Sequence, residues 1–191
     1  MATVADVELL LARARRFQAR ILAQQGPGAS WTHTFPDGIT ERYTIRGLQS
    51  VENLEDDVAS LFVWAWSTKD HLKELARTRR KSPQRIEDLV ERTPALRLLG
   101  DVANALKHLE LRRKTHSGIV PHLARPAYSI DGRNLKSVQF SVGEVAIEPD
   151  SSEAVEISYP ILDQAGNVVG DAIVLLGAAL SYWEQELAAL R

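Results

Sequence analysis

The 191-residue chain contains no cysteine, so disulfides, Cys-based zinc sites and thiol nucleophiles are all excluded. No apolar run reaches the roughly 18 residues that would suggest a bilayer-crossing helix. Residues 1 to 24 interleave leucines with Arg13, Arg15, Arg16 and Arg20, the pattern of an amphipathic helix rather than of a signal core. The chain is therefore expected to be neither secreted nor membrane-spanning, and the missing cysteine suits a cytoplasmic protein. The one Gly-rich stretch, Gly26-Pro27-Gly28, lacks both the lysine and the preceding strand of a phosphate loop. No nucleophile-elbow sequence supports a Ser/His/Asp hydrolase. No two histidines stand at ligand spacing on one helix, so a metal site is not expected, and no cofactor is expected either.

What remains is ordinary globular material: 45% hydrophobic and 25% charged residues, enough for one domain with a core that needs no staples. The net charge of −2 hides an asymmetry. Residues 1–142 hold 22 basic and 16 acidic side chains, whereas residues 143–191 hold one basic and nine acidic. The ordinary reading is an acidic C-terminal part that is solvated or packs on the basic part. The sharper reading is a basic surface for RNA or another nucleic acid.

Helical periodicity dominates. Thr3 and Asp6 form a capping-box pattern, and Val7, Leu10, Leu11, Ala14, Phe17, Ile21 and Leu22 make the stripe of a helix over 4–24. Ser50 can cap a second helix over 51–77, with Leu54, Val58, Leu61, Phe62, Ala65 and Leu72 facing a core. Ser82-Pro83 opens a short helix to about residue 91. Thr93-Pro94 starts a long one over 94–114, and Asp171 can cap the last, over 171–190, where Ala172, Leu175, Ala179, Trp183, Leu187 and Leu190 are the buried stripe.

Alternation of period two appears at 31–45 around the turn Pro36-Asp37-Gly38, and again at 137–159, where Gly143 suggests a bulge. Residues 118–126, with Gly118, Pro121 and Pro126, read as a surface loop. The expected fold is mainly α, of the α+β kind: a single domain over 1–191 built as an antiparallel four-helix bundle, flanked by hairpins at 31–45 and 137–159.

Two stretches carry a resemblance: WAWSTKDHLKELA at 64–76 and LRLLGDVANALKHLEL at 96–111. The pattern W-x-x-x-x-Lys-Asp, then Asp-x-x-Asn-x-x-Lys-His about thirty residues on, resembles a group of uncharacterised bacterial helical proteins, and the terminal SYWEQEL resembles their ending. Their general shape is similar to the HEPN superfamily of helical bundles. The resemblance implies a HEPN-like bundle, a homodimer, and a place in bacterial defence or toxin–antitoxin loci, where many HEPN members are RNases. HEPN nucleases carry an arginine followed after four to six residues by a histidine. None of the five histidines here has that neighbour, since Arg112 precedes His116 with only three residues between.

The candidate site residues lie on the 51–77 and 94–114 helices. Asp101, Asn104 and His108 recur at i, i+3 and i+7 on one face, roughly opposite the leucine stripe. If the two helices pack antiparallel, Asp70 or Lys69 can reach Asp101 or Asn104. The bland reading is a satisfied polar network of Lys69, Asp70, Asp101, Asn104 and His108 that sets helix register. A metal-independent RNase would instead use His108 as acid or base with Asn104 and Lys107, the cation stabilising the phosphorane. Lys107 and His108 diverge by about 100° on a helix, which weighs against that pairing. The leading expectation is a non-enzymatic binding or interaction module with a protein partner, and the RNase is the alternative. The wide apolar arc at 58–66 is the expected source of a homodimer interface.

Overall fold

The computed structural model describes residues 2–107 and 115–191. Among the described residues, five helices and nine strands in three sheets make a mixed α+β fold. This corrects the expected mainly α, HEPN-like four-helix bundle with two flanking hairpins. The chain forms two compact units, Met1–Gln18 with Val58–Arg125 and Tyr159–Arg191, and Ala19–Asp57 with Pro126–Ser158.

The helices are α1 (Val4–Ala23), α2 (Val51–Thr78), α3 (Gln84–Arg92), α4 (Pro94–Lys107) and α5 (Ala172–Leu190). Their starts follow local chemistry. Asp6 N donates to Thr3 Oγ1 at 3.2 Å while Thr3 N donates back to Asp6 Oδ2 at 2.8 Å, a reciprocal capping box. Asn53 N donates to Ser50 Oγ, and Asp171 Oδ1 accepts from Ile173 N and Val174 N at the head of α5.

The first unit's core takes most of the stripes read from the sequence: Val7, Leu10, Leu11 and Ala14 of α1, Val58, Leu61, Phe62, Ala65 and Leu72 of α2, and the whole α5 stripe are buried, whereas Leu22, at the end of the α1 stripe, is 53% exposed. Trp183 is fully buried, and its indole N–H donates to Ala65 O at 2.8 Å. This unit also holds β3 (His122–Leu123), β8 (Pro160–Leu162) and β9 (Val168–Asp171), an antiparallel sheet of order β3-β8-β9. α4 packs on α3 and α5 and also meets β3, so the helices share this unit with a three-stranded sheet rather than closing into a bundle on their own.

The second unit carries β1 (Ala29–Thr34), β2 (Thr40–Ile45), β4 (Ala127–Ile130), β5 (Leu135–Ser141), β6 (Glu144–Pro149) and β7 (Val155–Ser158). β1 and β2 form an antiparallel pair around the turn at Gly38, inside the stretch expected to alternate. The stretch 137–159 is not one hairpin. Gly143 sits at φ +73 in a two-residue turn that joins β5 to β6, while β7 pairs with β4, a strand inside a region without evident period. β2 and β6 pair in parallel, giving one sheet of order β1-β2-β6-β5. Ala29, Ile45, Leu48 and Val155 form this unit's core. Asp57, buried, is held bidentately by Arg20 and accepts from Gln49 Nε2 at 2.8 Å.

No helix among the described residues is long and apolar enough to cross a membrane.

Candidate functional site

In the first unit a polar cluster gathers round Trp66, supplied by the later part of α2, by α3, by α4 and by the loop at 115–121. Gly100 of α4 lets the helix backbone approach the indole, for a Cβ there would stand 2.6 Å from Trp66 Cη2. One residue on, Asp101 is 1% exposed and is consumed by the loop: Oδ1 accepts from His116 N at 2.8 Å, and Oδ2 from Ser117 N at 2.7 Å and Ser117 Oγ at 2.6 Å. Three donors on one carboxylate satisfy a charge that would otherwise be costly to bury. The loop so held sets the His116 ring edge-on against Trp66, centroids 5.6 Å apart, with Nδ1 3.4 Å from Glu91 Oε1.

On the other side of the cluster, Lys69 Nζ lies 4.4 Å above the Trp66 ring and 3.5 Å from Glu87 Oε2, and Lys73 pairs with Glu87 Oε1. Burial pushes the Glu87 carboxyl up. The Lys73 bond and the charges of Lys69 and Lys73 together outweigh that and hold it below its ordinary value.

Of the expected site residues, Lys69 and Asp101 belong to this cluster. Asp70 is exposed and Asn104 half-buried, and neither side chain bonds to another described residue; Lys107 is exposed. His108 lies outside the described residues, as do Arg112 and Arg113. Arg77 pairs with Glu74 at 3.0 Å. The apolar residues of 58–66 read as a dimer interface are largely buried within the chain: Val58, Leu61, Phe62 and Ala65 are fully covered, leaving Val63 and Trp64 partly exposed.

Ser117, Glu87, Glu91 and Gly100 are not among the residues the sequence points to, and His116 enters there only through its spacing from Arg112. A glycine inside a helix costs about 1 kcal/mol against alanine, so Gly100 was the available signal of close packing. Asp, Ser and His do meet here, but as separate Asp101–Ser117 and Glu91–His116 contacts, so no carboxylate orients a histidine toward the serine as a triad requires. Among the described residues no group of three or more His, Asp or Glu side chains can hold a metal ion.

The second unit presents a different feature, the outer edge of its four-stranded sheet. Gly143 O and Ile147 O accept from Arg42 N and Arg46 N, so the odd residues of β6 turn their backbone toward β2 and the even ones toward β5. Glu144, Ala146 and Glu148 oppose Ser141, Gln139 and Ser137. The backbone N–H and C=O groups of Val138 and Phe140 consequently point away from the sheet, and among the described residues β5 pairs only with β6. Val138, Phe140 and Val142 are 39%, 79% and 106% exposed. The ladder continues Phe140 across Val145 and Tyr43 to Trp31, whose ring stacks on Tyr43 and on Tyr128 at 5.7 Å each. An apolar row thus runs from the core of this unit out to an open edge.

Comparison of the chain with family models, with curated proteins and with solved structures finds no match.

Proposed function

We propose that this protein is a non-enzymatic interaction module whose contact surface is the β5 edge. The observation that carries the proposal is Phe140, a large apolar side chain 79% exposed on a strand whose outward backbone groups have no partner among the described residues. Sheet edges are ordinarily blunted by charge, proline or a bulge because an open one templates pairing with another chain. From Ser137 to Val142 this edge has no charge and no proline. The polar groups round Trp66 favour the same conclusion from the other direction: Asp101, Ser117, Lys69 and Glu87 are already engaged with one another or with the local backbone. A cytoplasmic setting, and the bacterial defence or toxin–antitoxin context implied by the Trp64 to Lys107-His108 pattern, complete the reading.

A photo-cross-linking phenylalanine analogue placed at position 140, with position 164 in an exposed turn as control, tests it in cells. Cross-linking to a polypeptide from 140 and not from 164 is expected. In a parallel incubation with total RNA, with and without EDTA, the RNA should stay intact. No cross-link at 140, or RNA cleavage that His108→Ala abolishes, would overturn the reading.

A further inference from the structure

We propose that the partner of the β5 edge is a second copy of this chain, joined by antiparallel pairing of the two β5 strands about a two-fold axis at Gln139. The inference rests on the interaction-module reading and adds the occupant.

The strand is self-complementary in three respects. With Gln139 opposite itself, Val138 faces Phe140 of the second copy and Phe140 faces its Val138. These are the residues whose backbone N–H and C=O groups point outward, so each such pair can exchange two hydrogen bonds. A shift of the axis by half a residue would oppose outward groups with inward ones and forfeit the ladder. The same register matches side chains by kind. Val138 and Phe140 meet on the apolar face and Ser137 meets Ser141 on the other. Charge does not oppose the register, since Ser137 to Ser141 carries no ionised side chain and Lys136, at the register shift just before it, is bound to Glu148 on its own β6, at 2.6 Å. No like charges meet.

The product is one continuous sheet of eight strands, β1-β2-β6-β5 followed by its copy, which removes the open edge. The other edge of the four-stranded sheet, β1, does not invite the same pairing, because its exposed positions Thr32, His33 and Thr34 are polar. Stable interfaces usually bury about 1,200–2,000 Å² in total. One strand pair with a few apolar side chains falls toward the low end, so association should depend on concentration over the micromolar range.

Sedimentation of the full-length chain from low to high micromolar concentration tests this. The mass should rise from 21.2 kDa toward twice that value. Phe140→Lys adds a charge to the exposed face and should hold the protein at monomer mass, with unchanged circular dichroism and melting temperature. Phe140→Pro removes one outward N–H and no bond to β6, and it too should abolish the dimer; if it unfolds the chain, the lysine variant decides. Amide exchange at Val138 and Phe140 in the wild type should slow as concentration rises. A 21.2 kDa species throughout, or a dimer that survives Phe140→Lys, overturns the inference. A monomer that still cross-links to a different polypeptide from position 140 overturns self-pairing and leaves the interaction module standing. Absence of any cross-link removes the module as well.

Discussion

Trp66 and Gly100 are in such close contact that a methyl group at position 100 would fall 2.6 Å from the indole. Real Cβ atoms do not come that near a ring carbon, so Gly100→Ala must displace either α4 or the tryptophan. The helix-propensity gain of about 1 kcal/mol is set against an overpacking cost of about 1–3 kcal/mol. A net loss of stability is expected in thermal melts. A melting temperature equal to or above wild type would mean that Trp66 yields freely.

Asp101 and Asn104 share a helix face but are predicted to respond in opposite directions. Asp101→Ala strips the acceptors from His116 N, Ser117 N and Ser117 Oγ, and charged hydrogen bonds contribute about 1.5–3 kcal/mol. Destabilisation at the upper end of that range is expected, with faster amide exchange at 116 and 117. The Asn104 side chain bonds to no other described residue, and alanine is the better helix former. Asn104→Ala should leave stability unchanged or raise it by a few tenths of a kcal/mol; a clear loss would show that its side chain has a partner.

Glu87 makes stability depend on acid. Its folded-state pKa lies below the ordinary 4.5, because the bond and charges of Lys73 and Lys69 outweigh the opposing effect of burial. A lowered carboxylate pKa contributes stability that is present above the unfolded value and is lost as pH falls through the folded one. Melting temperature should therefore decline below pH 4.5, and more shallowly in Glu87→Gln. Equal slopes for the two proteins would remove Glu87 as a contributor.

Tyr128 acts at the alkaline end. Burial, followed by the nearby charges of Glu55 and Glu52, pushes its hydroxyl up to about 12. The folded state keeps a proton that the unfolded state releases near pH 10, so this stability is fully present below pH 10 and is lost as pH rises through about 12. Absorbance titration should find a tyrosine ionising near pH 12, and Tyr128→Phe should remove that step. The hydroxyl is buried without a hydrogen-bond partner among the described residues, so its removal should also stabilise the protein by about 1 kcal/mol. A destabilised Tyr128→Phe would argue that the hydroxyl is bonded in solution.

Helix positions and buried stripes were legible in the amino-acid order because they depend on neighbours within one or two turns. The Thr3/Asp6 box, the Asp171 cap and the α5 stripe from Ala172 to Leu190 are such local features. The β1–β2 alternation around Gly38 was legible for the same reason. Much of the sheet structure was not. β3 has two residues and β8 three, too few for any period to register, and β4 is indistinguishable from loop until β7, some thirty residues later, supplies its partner. The parallel register of β2 on β6 joins residues about a hundred apart.

The candidate sites divide along the same line. Asp101 was conspicuous as a poor helix former in a helix interior, but its partners turned out to be the His116 and Ser117 amides rather than Asp70. Backbone donors leave no mark on side-chain pattern, so only the folded loop could reveal them. The exposure of Phe140 likewise depends on which strand lies beside β5 and which does not. Side-chain chemistry and local period are written in the order of the residues; which backbone groups find partners, and which edge stays open, was decided only when distant segments met.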